Sequence, residues 1–154
     1  MRRCIVLSVG VVGLLLLPAH NRIINAAPDH PLEGVWQVEA AGRPVAGVYI
    51  FAHTHYSMMA ASTDRPDNVD VAKASADDLR ALWNPMLGNA GVYEVTGDLV
   101  TIRPIVAKFP VVMKSGAYEV YAFRVEGNTL SLTQRRNVRG PVENGGTTQL
   151  VRVE

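Results

Sequence analysis

Short stretches of alternating polar and apolar residues, cut at close intervals by turn-forming pairs, constrain this chain more than any other feature. Gly97-Asp98 separates residues 90–96 from 99–106, and Gly127-Asn128 separates 117–126 from 129–136. Each pair is a two-residue turn signal between β-prone runs. In 117–126, Tyr118, Val120 and Ala122 alternate with Glu119, Tyr121 and Phe123. In 129–136, Leu130 and Leu132 alternate with Thr129, Ser131 and Thr133. A period of two residues places such sets on opposite faces of a sheet.

The same reading gives strands over 34–40, where Trp36 and Val38 alternate with Gln37 and Glu39, and over 45–52, 55–62 and 147–153. Residues 47–59 form the richest β stretch, with His53-Thr54-His55 as its only polar break. That break predicts a hairpin. It lacks the Asn-Gly or Asp-Gly of a tight turn, so the loop is wider or its residues serve something besides turning. In 99–106, Val100, Ile102 and Val106 are expected on one face, with Pro104 marking an edge or a bulge.

One helix is expected. Ser75 caps it, Asp77 and Asp78 suit its positive end, Leu79, Leu82 and Trp83 share a face, and Asn84-Pro85 stops it. About eight strands joined mostly by short turns point to an all-β fold, an eight-stranded antiparallel up-and-down barrel with one short helix between strands 3 and 4. The long connection 63–88 should lie across one mouth, with its apolar helix residues facing the opening or the wall.

The first 27 residues have the pattern of a secretory signal peptide: Arg2 and Arg3, then an apolar run over 5–17, then small residues at Ala26 and Ala27. The expected organisation is therefore 1–27 as signal and 28–154 as one barrel domain, secreted or periplasmic and monomeric, with no stable membrane span after cleavage. The single cysteine, Cys4, lies in the signal, and no internal disulfide can form. A net charge of +1 gives no reason to expect nucleic acid as a partner.

Gly34-Val35-Trp36 on the first strand is similar to the G-x-W of lipocalins and their calycin relatives. Arg152 on the last strand stands where such barrels carry an arginine packed on that tryptophan. Together with 47–57 and 89–95, the chain from about 32 to 153 resembles the small bacterial lipocalin-like domain proteins. The resemblance implies a closed barrel with a cavity for a small apolar or amphipathic molecule.

Residues able to contact such a molecule follow from their chemistry. His53, His55 and Tyr56 cluster at one hairpin, and Tyr56 and Tyr121 offer an apolar ring with a hydroxyl tip. Arg103 and Arg135 lie on strands, and an inward guanidinium would hold a carboxylate through two parallel bonds. Because Arg135 and Arg136 are adjacent, one of them should face inward. The expected ligand-binding set is His53, His55, Tyr56, Arg103, Tyr121 and Arg135. The His-x-His pair has no evident third ligand, so neither metal nor cofactor is expected. An enzyme using His55 as base requires that it meet a second polar group in a concave pocket. A third reading, a structural or inhibitory envelope protein, requires a contiguous apolar patch on the outer surface.

Overall fold

A computed structural model describes residues 30–39 and 45–154. The expected signal segment, 1–27, lies outside them. The strands are β1 (Gly34–Val38), β2 (Val45–Ala52), β3 (His55–Ser62), β4 (Met86–Thr96), β5 (Leu99–Ala107), β6 (Glu119–Glu126), β7 (Thr129–Asn137), β8 (Gly140–Pro141) and β9 (Thr147–Arg152). Every pairing is antiparallel, in the order β6-β5-β4-β3-β2-β1-β9-β7, and β6 pairs with β7 to close the ring. Eight strands are therefore staves of a closed barrel, and the two-residue β8 is only a flap on β7. Closure leaves no free sheet edge among the staves.

The two-residue turns form where the sequence places them, at Gly97-Asp98 and Gly127-Asn128, with positive φ at both glycines. The His-x-His turn is equally tight: Ala52 pairs with His55, leaving only His53 and Thr54 between strands. His53 takes φ 51° without being glycine, which costs about 1–2 kcal/mol. Its backbone N–H donates to the Glu33 carboxylate at 3.0 Å, which holds the turn in place.

β4 begins at Met86 rather than near 90, because Leu87, Gly88 and Asn89 pair with Ala60, Met59 and Met58. Pro104 does mark a bulge. Gly91 pairs with Pro104 but Ala90 with Val106, so Ile105 is the extra residue. The bulge turns Val106 outward, away from the face shared by Val100 and Ile102, and it is exposed.

Helix α1 (Ala76–Trp83) is capped as expected: Ser75 accepts from the Asp78 N–H, and Asp78 accepts from the Ser75 N–H. The Ser75 hydroxyl also donates to Asp78 Oδ2 at 2.7 Å, and this bond first, then that from the Ser75 N–H, holds the Asp78 carboxyl below the usual range. At the other end, Lys108 Nζ donates to the carbonyl oxygens of Trp83, Asn84 and Met86. Leu82 borders Ala46 and Ala61, and Trp83 borders Ser57 and Met59, all outward-facing residues. The helix therefore lies beside the outer wall rather than over the opening.

One end of the barrel is shut by the chain itself. Leu32 is fully buried, and Trp36 Nε1 donates to its carbonyl oxygen at 2.8 Å. The Arg152 guanidinium lies 4.1 Å over the Trp36 ring and donates to the carbonyl oxygens of Pro31 and Glu33. His30 accepts from the Leu32 N–H and hydrogen-bonds the Tyr93 hydroxyl at 2.8 Å. Gly34, at φ 136°, sits under the guanidinium: a Cβ there would come within 2.4 Å of Arg152 Nη1. Gly34→Ala is expected to lower stability by about 1–3 kcal/mol from the backbone alone, and more if Arg152 is displaced. Thermal unfolding followed by circular dichroism would show this; an unchanged midpoint would mean that Arg152 does not clamp the floor.

Candidate functional site

Inward-facing residues divide into two levels. Near the closed end, Trp36, Phe51, Tyr93, Val100, Leu130, Leu132 and Leu150 fill the interior as a packed core. Rows of paired residues climb the barrel because its strands tilt: the row Trp36–Tyr49–Met58–Asn89–Ala107 starts at the floor and ends at the rim. The row Tyr93–Ile102–Glu119 climbs the same way. Asn89 and Glu119 therefore reach the upper interior, where Gln134 joins them across from Tyr121.

This upper level is polar and largely buried. Asn89 and Glu119 are each only 9% exposed, and they are the buried polar residues of the described chain. The Tyr121 hydroxyl donates to Glu119 Oε2 at 3.1 Å and accepts from Gln134 Nε2 at 3.3 Å. Among the described residues, the Tyr56 hydroxyl, Asn89 Oδ1 and Arg136 Nε are buried with no hydrogen-bond partner. Among the described residues, no lysine or arginine pairs with Glu119.

Burial pushes the Glu119 carboxyl above its usual range, against a smaller opposing effect of the Tyr121 bond. Burial likewise raises the Tyr56 and Tyr121 phenols, and the nearby Glu119 charge raises both further. Tyr49 is raised by burial. All three phenols therefore remain neutral, each with an O–H to donate.

Of the six expected contact residues, the structure brings together Tyr56 and Tyr121. His53 and His55 are exposed at a turn of the closed end. His53 Nδ1 lies 3.5 Å from the Glu33 carboxylate, and His55 Nδ1 lies 3.0 Å from the Thr54 hydroxyl. Neither histidine enters a concave pocket with a second catalytic group. Arg103 is on the outer wall, ion-paired to Glu94 at 3.1 Å.

The adjacent arginines do not divide as expected, because a second bulge intervenes. Tyr121 pairs with Gln134 but Val120 with Arg136, so Arg135 is the extra residue and is exposed. Arg136 is level with the outward-facing Val120 and stacks 4.6 Å over the Tyr118 ring. Asn89, Glu119 and Gln134 are not among the six expected contact residues. The shared parity of Glu119, Tyr121 and Phe123 was a usable signal, and Asn89 gave none.

On the outer wall, Met59, Trp83, Met86, Val106 and Lys108 line an apolar groove of about 470 Å³. Among the described residues, no group of three or more His, Cys, Asp or Glu stands ready to hold a metal, and no helix is long and apolar enough to cross a membrane.

The Glu119 shift has a sign that can be checked. The unfolded chain ionises this carboxyl at its ordinary value, whereas the folded chain still holds the proton there. Stability contributed by Glu119 is present below the ordinary value, falls as pH rises toward the raised one, and is gone above it. Glu119→Gln keeps an acceptor for Tyr121 and removes the titration. The variant's melting temperature should exceed that of the parent by a wider margin at about pH 8 than at about pH 4. Equal margins would show that burial does not disfavour the charge.

Compared with known protein families, with curated proteins and with solved structures, the chain matches none.

Proposed function

We propose that this is an exported, lipocalin-like barrel that binds a small amphipathic molecule in its upper interior. The carrying observation is that two of the three buried side-chain polar atoms without a partner among the described residues, Tyr56 Oη and Asn89 Oδ1, belong to inward-facing residues (the third is Arg136 Nε), on the inner face that also carries the Glu119–Tyr121–Gln134 network. A buried donor or acceptor without a partner costs about 1–3 kcal/mol. Two of them take a large share of the 5–15 kcal/mol that holds a domain together. A ligand whose polar end meets those atoms accounts for that cost.

Ala60 and Ala107, small residues near the rim, face inward on rows with larger inward residues nearer the floor. Since the lower interior is packed, the molecule is short, with its apolar part against Met58 and Tyr49. Export is read from the expected signal at 1–27, and the resemblance at Gly34-x-Trp36 and Arg152 agrees with a carrier. Arg152 itself is engaged with Trp36 and the floor carbonyls.

Two other readings weaken or persist on stated grounds. Catalysis by His55 has no support from its exposed position at the turn. Action through the outer surface is favoured by the groove beside Trp83, which is 54% exposed.

Native mass spectrometry of the exported protein, with solvent extraction, would test the carrier reading. A discrete added mass, lost on denaturation, is expected. Asn89→Leu, which removes an orphan and narrows the interior, should abolish that mass and raise the melting temperature. A bare parent protein that binds no lipophilic dye would overturn the proposal.

A further inference from the structure

We infer that the polar end of the bound molecule is a cation or a bare hydrogen-bond donor, a primary amine above all, and not a carboxylate. This rests on the carrier reading and names the chemistry of its ligand. Among the described residues, the buried carboxyl of the upper interior is that of Glu119, which is nine-tenths buried. Among the described residues its carboxylate accepts one hydrogen bond, from Tyr121, and that bond uses Oε2. A carboxylate has about four acceptor sites, so Oε1 and part of Oε2 remain open.

The second unmet acceptor, Asn89 Oδ1, is buried on the same upper level. Among the described residues the amide oxygen meets no donor, and a ligand N–H supplies one. Three phenol rings, Tyr49, Tyr56 and Tyr121, face the same interior, and their π faces attract a cation. An ammonium carries three donors and no acceptor, which matches two acceptors and an aromatic wall.

The groups that would favour an anion lie elsewhere. Arg103 is ion-paired on the outer wall, Arg135 is exposed, Arg136, whose Nε is buried without a partner among the described residues, stacks on Tyr118 level with the outward-facing Val120, and Arg152 clamps the floor. A carboxylate placed near Glu119 would put two like charges in a poorly solvated space, which is strongly unfavourable. The Tyr56 hydroxyl remains able to turn as donor or acceptor toward a neighbouring group of the same ligand.

Hexylamine, hexanol and hexanoate form a matched set of probes, differing only in the polar end. Binding to the full chain would be measured by calorimetry at about neutral pH. The amine is expected to bind at least about tenfold more tightly than the alcohol, with hexanoate weakest. Glu119→Gln should remove most of the amine's advantage over the alcohol. Tyr121→Phe, which frees Glu119 Oε2, should preserve or strengthen amine binding and guards against a folding defect in the first variant. Hexanoate binding as tightly as the amine, or an amine preference that survives in Glu119→Gln, would overturn the inference and leave the carrier reading standing. Binding of none of the three would count against both.

Discussion

The barrel depends on the stack of Arg152 over Trp36. That contact ties the last stave to the first, and the two strands are paired at those residues. It also fixes the segment before β1, because the same guanidinium holds the carbonyls of Pro31 and Glu33. Leu32 is thereby pressed into the floor and fully buried. Gly34 is needed because any side chain there would occupy the place of the guanidinium. Glu33, held in that segment, in turn supports the strained His53 turn. One cation–π contact, worth about 2 kcal/mol when desolvated, thus organises the floor, one hairpin and the closure of the ring.

A shut and packed floor leaves chemistry to the other end. The residues that fill the bottom are aromatic and aliphatic and make no unmet demand. The residues that reach the upper interior are Asn89, Glu119, Tyr121 and Gln134, and their needs are only partly met within the chain. Fold and site therefore occupy different levels of one interior. A substitution such as Gly34→Ala and one such as Asn89→Leu should act in opposite directions on stability, because the first damages packing and the second removes an unpaired acceptor.

Much of the fold was legible because it rests on local signals. Gly97-Asp98 and Gly127-Asn128 turn where they are written, and the capping box at Ser75 and Asp78 starts the helix. Trp36 and Arg152, far apart in sequence, meet as the resemblance implied. The site was less legible because it depends on which face of each strand points inward. On β6 both faces carry apolar side chains, so alternation alone does not choose between Glu119 with Tyr121 and Val120 with Ala122. On β5 the bulge at Ile105 reversed the face of Val106. The histidines lie at the closed end, where His53 takes a positive φ in the turn and His55 opens β3.

The bulge on β7 has the largest consequence for the interior. Leu130, Leu132 and Gln134 face inward, and uninterrupted alternation would bring Arg136 inward next. It would then stand near Glu119, and an internal ion pair would satisfy the carboxylate. The extra residue at Arg135 shifts the register by one, and one residue is enough to exchange faces. Arg136 instead meets the Tyr118 ring outside, and Glu119 is left among phenols and amides. The net polarity of the upper barrel is thus decided by a single backbone irregularity rather than by the composition of the strand that carries it.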